Sequence, residues 1–162
     1  MRVFAISGYS GTGKTTLIES IVNSLVDSGY SVATIKSSIH HPRQDPNTDT
    51  QRHLQAGASF ALFVRASDEC VTFKDRIDPA DLSRLLDFDF LIIEGMKSVN
   101  IPKFWCVGDT DISGDLPINT QAIVTWSEDT LENRAVPVIS AGQVDRLAEI
   151  VKTSAVDVSD IE

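Results

Sequence analysis

At 162 residues, with 42% hydrophobic and 23% charged side chains, the chain is expected to fold as one soluble domain, and no run approaches the roughly 18 unbroken apolar residues of a membrane span. Its 23 acidic residues against 14 basic ones leave a net charge of −9 with no Lys/Arg cluster to offset it. That argues against DNA or RNA as a partner and requires a local device to hold any anionic ligand.

Met1 leads directly into an apolar run, without the basic start and cleavage site of a secretory signal, so the cytoplasm is the expected location. Residues 2–7, "RVFAIS", read as a buried strand. Residues 15–28 place Leu17, Ile18, Ile21, Val22, Leu25 and Val26 at helical spacing. Gly29 suits the left-handed position after a helix, and "YSVATIK" supplies a second strand ending near Lys36, completing a βαβ unit with parallel strands. The polar, proline-marked segment 37–47 is long enough to be a functional loop, and "DTQRHLQAGA" follows as a short helix. "FALFVR" and "CVTFK" read as two strands, a candidate antiparallel pair, and Asp78-Pro79 opens a further helix by capping.

"FDFLIIEG" is a core strand with an acid and a glycine at its carboxyl end; "KFWCV", "AIVTW" and "VPVIS" are shorter strands. Ser140 with Gln143 resembles a capping box before a last helix, and the acidic end "VDVSDIE" is expected to fray. Cys70 and Cys106 form no CxxC pair and read as free buried thiols. The alternation indicates a three-layer α/β domain over residues 1–162, with helices on both faces of a mostly parallel sheet and an antiparallel extension.

Between the first strand and the first helix lies "GYSGTGKTTL", which contains GxxxxGK(S/T). Its glycines let successive amides curl around a phosphate, and the helix start adds a positive dipole end. Gly8, Ser10, Gly11, Thr12 and Gly13 form the candidate cradle. Lys14 would reach the terminal phosphates, Thr15 would complete a Mg²⁺ shell and Thr16 would meet the inner phosphate. Glu94 would stand beside the loop if its strand neighbours the first, holding a Mg²⁺-bound water or orienting an attacking one. Asp89, at the far end of that strand, reads as a solvated turn residue.

Three stretches, "GYSGTGKTTL", "IKSSIHHPRQDPNTDTQRHLQAGA" and "LIIEGMKSVNIPK", together resemble the molybdopterin-guanine dinucleotide biosynthesis protein B, or MobB, family over nearly the whole chain. The EGxK and IPK residues Glu94, Gly95, Lys97, Ile101, Pro102 and Lys103 are the more specific part. The resemblance implies a P-loop NTPase fold and a GTP-binding protein with weak GTPase activity. It also implies a homodimer, a partner guanylyltransferase of the MobA type, and molybdopterin as a candidate ligand. Lys36 and Lys97 become candidates for phosphate or molybdopterin contact. Where the family carries a lysine–histidine pair, this chain has Lys36-Ser37 and places its histidines at His40 and His41, which are candidate ligand contacts or exposed polar residues. Asp49 or Thr50 is expected to cap the short helix, and Arg43 and Arg52 are anion contacts or solvated arginines.

The glycine loop reads phosphates only, so a guanine base must be read elsewhere. "TWSED" follows a late strand, and Glu128 is a candidate acceptor for guanine N1 and N2 or a solvated turn acid; Trp126, Trp105, Phe104 and Phe90 are expected to pack. Two other functions fit the loop: an ATP-dependent small-molecule kinase, and an interaction module that binds nucleotide only to order itself.

Overall fold

The first strand shows how the sheet divides its side chains. In β1 (Arg2–Gly8), Phe4 and Ile6 join one apolar layer while Val3 and Ala5 join the other, as the two-residue repeat of a strand requires. A strand buried on both faces needs a continuous apolar run, which "VFAI" supplies. The computed structural model describes residues 1–38, 49–65, 70–72, 87–108, 115–127 and 135–161.

Chain order runs β1, α1 (Lys14–Asp27), β2 (Val32–Ser38), α2 (Asp49–Gln55), β3 (Phe60–Arg65), β4 (Cys70–Thr72), β5 (Phe90–Glu94) and β6 (Lys103–Cys106). It continues through β7 (Thr120–Thr125), β8 (Val138–Ser140), α3 (Val144–Ser154) and β9 (Val156–Asp157). The strands lie in the order β4-β3-β2-β5-β1-β6-β7-β8. Neighbours on that path are parallel except β3 and β4, the antiparallel pair expected from "FALFVR" and "CVTFK". This is the mostly parallel α/β sheet with an antiparallel extension that the sequence leads one to expect. The chain winds to one side of β1 through β2, β3 and β5 and then crosses to the other side at β6, so β1 sits where the winding reverses. Ligands of such sheets bind at the carboxyl ends of the strands at that point.

α1 buries Leu17, Ile18, Ile21, Val22 and Leu25 against Phe4, Ile6, Phe90 and Ile92. Each such side chain contributes about 1.5–3 kcal/mol relative to exposure. The helix stops as its sequence suggests: Gly29 takes φ +88°, its N–H donates to the Val26 carbonyl, and the Tyr30 N–H donates to that of Leu25. Those two bonds are a Schellman ending. Leu147 and Val151 of α3, and Ala56 and Ala58 after α2, complete the same layer. On the opposite face Val3, Ala5, Ala33, Leu91 and Ile93 are covered by Ile101, Met96, Val99 and Ile161. The helix expected after Asp78 lies outside the described residues.

Two local expectations are corrected. Gln143 is itself the N-cap of α3 and makes no side-chain capping bond, because Ser140 ends β8 and the Gln143 N–H instead donates to the Ser140 carbonyl at 2.9 Å. The chain end adds a short strand rather than fraying: β9 pairs antiparallel with β1, Val156 opposite Val3, in the part of that edge left open before β6 begins. Asp89 does more than meet solvent, since its carboxylate accepts from the Ser31 N–H at 2.8 Å and the Ser31 hydroxyl at 2.9 Å, tying the starts of β2 and β5.

Candidate functional site

The glycine loop begins where β1 ends, with Gly8 opposite Cys106 of β6. Gly11 and Gly13 hold φ +79° and +77°, a region costly for any residue with a Cβ. Gly13 is the N-cap of α1, makes no side-chain capping bond, and is followed by no acid in the first turn. The free first-turn amides of such a helix fit an anion. Tyr9, Ser10, Gly11 and Thr16 are exposed and Thr12 is buried. The Tyr9 carbonyl accepts from the Thr12 hydroxyl at 2.9 Å and from Lys14 Nζ at 2.5 Å. Burial lowers the Lys14 pKa, against the pull of Glu94.

Glu94 stands beside this loop because β5 is parallel to β1 with Ile6 opposite Glu94. Beyond that register the Gly95 N–H donates to the Ile6 carbonyl at 3.0 Å, and the Ser7 hydroxyl donates to the Gly95 carbonyl at 2.5 Å. The Thr15 hydroxyl lies 3.3 Å from both Glu94 oxygens. Hydroxyl and carboxylate oxygens are the donors a Mg²⁺ ion takes, so these residues fit the metal as the loop fits a phosphate.

Glu94 is nearly fully buried yet charged. Burial raises its pKa, but the adjacent His53 ring and the Lys36 ammonium outweigh that and hold the carboxyl below its usual range. Lys36, opposite Glu94 in the β2–β5 register, pairs with Glu94 and, at 2.9 Å, with Asp49 Oδ2. Burial works against the Lys36 charge, and the two carboxylates still raise its pKa. Asp49 Oδ1 also accepts from the Thr15 hydroxyl at 2.8 Å. Asp49, expected to cap its helix, is instead the first residue of α2 and faces the glycine loop.

His53 is fully buried, with Nε2 3.4 Å from Glu94 Oε2; neither ring nitrogen makes an aligned hydrogen bond among the described residues. Sequence reading passed over it, although Asp49 and His53 share a helix face at i, i+4 spacing. Arg52 is partly exposed but paired: its guanidinium donates to both Glu19 oxygens at 2.5 and 2.9 Å and to the Thr16 hydroxyl at 3.1 Å, binding α2 to α1. His40, His41, Arg43 and Glu128 lie outside the described residues.

Residues 3–126, which span every element of this site, match the family of Molybdopterin guanine dinucleotide synthesis protein B. The chain belongs to the MobB family. It is 39% identical over 132 residues to a putative molybdopterin-guanine dinucleotide biosynthesis adapter protein of Methanocaldococcus jannaschii, covering 76% of this chain and 55% of that one. It is 33% identical over 109 residues to the molybdopterin-guanine dinucleotide biosynthesis adapter protein of Haemophilus influenzae, covering 62% of this chain and 60% of that one. The matched region thus spans little more than half the length of these two curated relatives. The crystal structure of Bacillus subtilis MobB shares the fold, with a TM-score of 0.61 at 23% identity over 96% of this chain and 99% of that one.

Within the family stretch "EGMKSVNIPK" the two lysines have separate places. Lys97 is exposed, and its ammonium lies 4.4 Å from the centroid of the Tyr9 ring at the loop. Lys103, on β6, is fully buried and donates to the carbonyls of Val99 and, at 3.2 Å, Lys97; burial lowers its pKa. It fixes the segment that carries Lys97. Cys106 is free and buried, and burial pushes its thiol up to about 12, leaving it an inert packing group.

A second family of contacts reaches the loop from β6 and β7. Tyr9 packs edge-on against Trp105, with ring centroids 5.5 Å apart. The Trp126 indole N–H donates to the Thr12 carbonyl at 3.0 Å. Both tryptophans pack around the glycine loop, Trp105 buried and Trp126 still 46% exposed.

Proposed function

We propose that this chain is a GTP-binding adapter in molybdenum cofactor maturation, a single nucleotide-binding domain that acts as a cytoplasmic homodimer with a guanylyltransferase partner. The observation that carries the reading is the Thr15 hydroxyl 3.3 Å from both Glu94 oxygens, at the mouth of a glycine loop in a MobB-family chain. The matched relatives are named as adapters in molybdopterin-guanine dinucleotide biosynthesis, which supports the same assignment.

In this reading Gly8 to Gly13 and the first turn of α1 cradle the phosphates with Ser10 and Thr16 at the rim, Lys14 turns from the Tyr9 carbonyl to the terminal phosphates, and Thr15 with Glu94 holds Mg²⁺. The metal would neutralise phosphate charge. Lys36 keeps Glu94 ionised, and Lys97 offers a cation at the loop's edge to a phosphate of GTP or molybdopterin. Weak GTPase activity, as the family resemblance implies, belongs to the same reading. Nucleotide then organises the loops after Lys36 and Gly95 for the partner.

Equilibrium competition of GTP against ATP with Mg²⁺, on wild type and Lys14→Ala, tests this. GTP preference that disappears in the variant is the expected result. Preference for ATP, with a phosphorylated acceptor accumulating, would put a small-molecule kinase in its place.

A further inference from the structure

A triphosphate lying in the glycine loop has a direction. Its metal-bearing end belongs beside Thr15 and Glu94, on the β5 flank of β1. The nucleoside end therefore leaves toward the other flank, over the carboxyl ends of β6 and β7, where sheets of this kind take their ligands. The first side chain beyond β7 is Trp126. Its indole is pinned to the loop by the bond to the Thr12 carbonyl, and it covers Gly13 so closely that a Cβ there would stand 2.2 Å from Nε1. Even so, 46% of Trp126 stays exposed.

A large ring immobilised by a backbone hydrogen bond has already lost its rotamer freedom, so a flat partner can stack on it at little further entropic cost. Tyr9, the other exposed aromatic of the loop, is less suited: the Lys97 ammonium lies over its ring. We propose that Trp126 is the base-stacking wall of the nucleotide site, taking the π-face of a purine whose triphosphate lies in the glycine loop. The inference rests on the nucleotide reading above. Stacking reads shape and area rather than hydrogen-bond pattern, so Trp126 favours purine over pyrimidine and leaves the choice between guanine and adenine to other groups.

The test measures Mg²⁺-dependent binding of GTP, CTP and inorganic tripolyphosphate to the full chain as wild type, Trp126→Leu and Trp126→Phe, with far-UV circular dichroism as the folding control. Wild type should bind GTP more tightly than CTP and than tripolyphosphate. Trp126→Leu should weaken GTP about 5- to 150-fold, the range for loss of one base–aromatic stack, while tripolyphosphate changes less than about threefold. Trp126→Phe should recover part of the GTP affinity. Parallel loss of GTP and tripolyphosphate would overturn the proposal, because Trp126 would then only shape the loop; so would unchanged GTP affinity in Trp126→Leu. If wild type binds neither GTP nor tripolyphosphate, the nucleotide reading itself fails, which is a different result from either of these.

Discussion

The two flanks of the glycine loop are built from different materials. On the β5 side its neighbours are polar and mostly buried: the ionic Glu94, Lys36 and the more open Asp49, with the His53 ring against Glu94. On the β6–β7 side they are aromatic, with Tyr9 and Trp126 open to solvent and Trp105 beneath Tyr9. The contrast follows from what each flank has to do. Charges removed from water must be paired with one another, which makes the β5 flank rigid and sensitive to any single deletion. Aromatic rings shape a loop and present a surface without such coupling, so the other flank should tolerate change in stability and answer mainly in ligand affinity.

The largest effect expected from this difference is on the ionic side. Lys36→Met leaves the Glu94 carboxylate buried without its cation, and should lower unfolding stability by about 3 kcal/mol or more in urea titration. Adding Glu94→Gln should recover much of that loss. A change below about 1 kcal/mol would show that the charges are not coupled as their distances suggest.

Lys14→Ala separates binding from stability. It removes a cation whose burial already disfavours it, so the urea midpoint should move little, while triphosphate affinity falls about 10- to 150-fold, the worth of a hydrogen bond to a charged group. Gly13→Ala sharpens the aromatic side. The left-handed backbone alone should cost about 1–2 kcal/mol, and overlap with the Trp126 ring adds to it. In a Trp126→Leu background only the backbone part should remain.

The pH response should be smaller and confined to the ionic flank. Glu94 and Asp49 have lowered pKa values, so they contribute stability above their ordinary values of 4.5 and 3.8 that is lost as pH falls through the lower folded values. Lys36 has a raised pKa; its contribution is complete below 10.5 and lost as pH rises through the higher folded value. Wild type should therefore lose stability below about pH 4.5 more steeply than Glu94→Gln when urea midpoints are followed with pH. Arg52→Ala, which breaks a half-open pair with Glu19 and an exposed bond to the Thr16 hydroxyl, should cost less than about 1 kcal/mol.

Much of the fold was legible because its signals are local. The apolar runs of β1, β2 and β5, the helical spacing in α1 and the Gly29 ending each depend on residues within a few positions of one another. β9 was not, because two residues carry no periodicity and their strand exists only where β1 leaves an open edge. The failed capping box has a related cause: Ser140 was already committed to β8, so its carbonyl rather than its side chain met Gln143.

For the site, the sequence alone determined the loop, since only glycines at those spacings accept its backbone, and it singled out Glu94 by its place at the end of a buried strand. That Glu94 lies beside Thr15 depended on β5 pairing with β1, and 79 residues separate the two in the chain. Asp49, His53, Lys103 and Trp126 acquired their places only from tertiary structure. Asp49 meets Thr15 and His53 meets Glu94 because α2 docks on α1, Lys103 has its place because β6 is buried beneath the segment it binds, and Trp126 because β7 ends level with Gly13. Local signals offered Asp49 as a helix cap, Lys103 as part of a motif and Trp126 as packing, but not these contacts, for burial and electrostatic pairing depend on what the folded chain brings near, and a residue's own sequence neighbours do not report that.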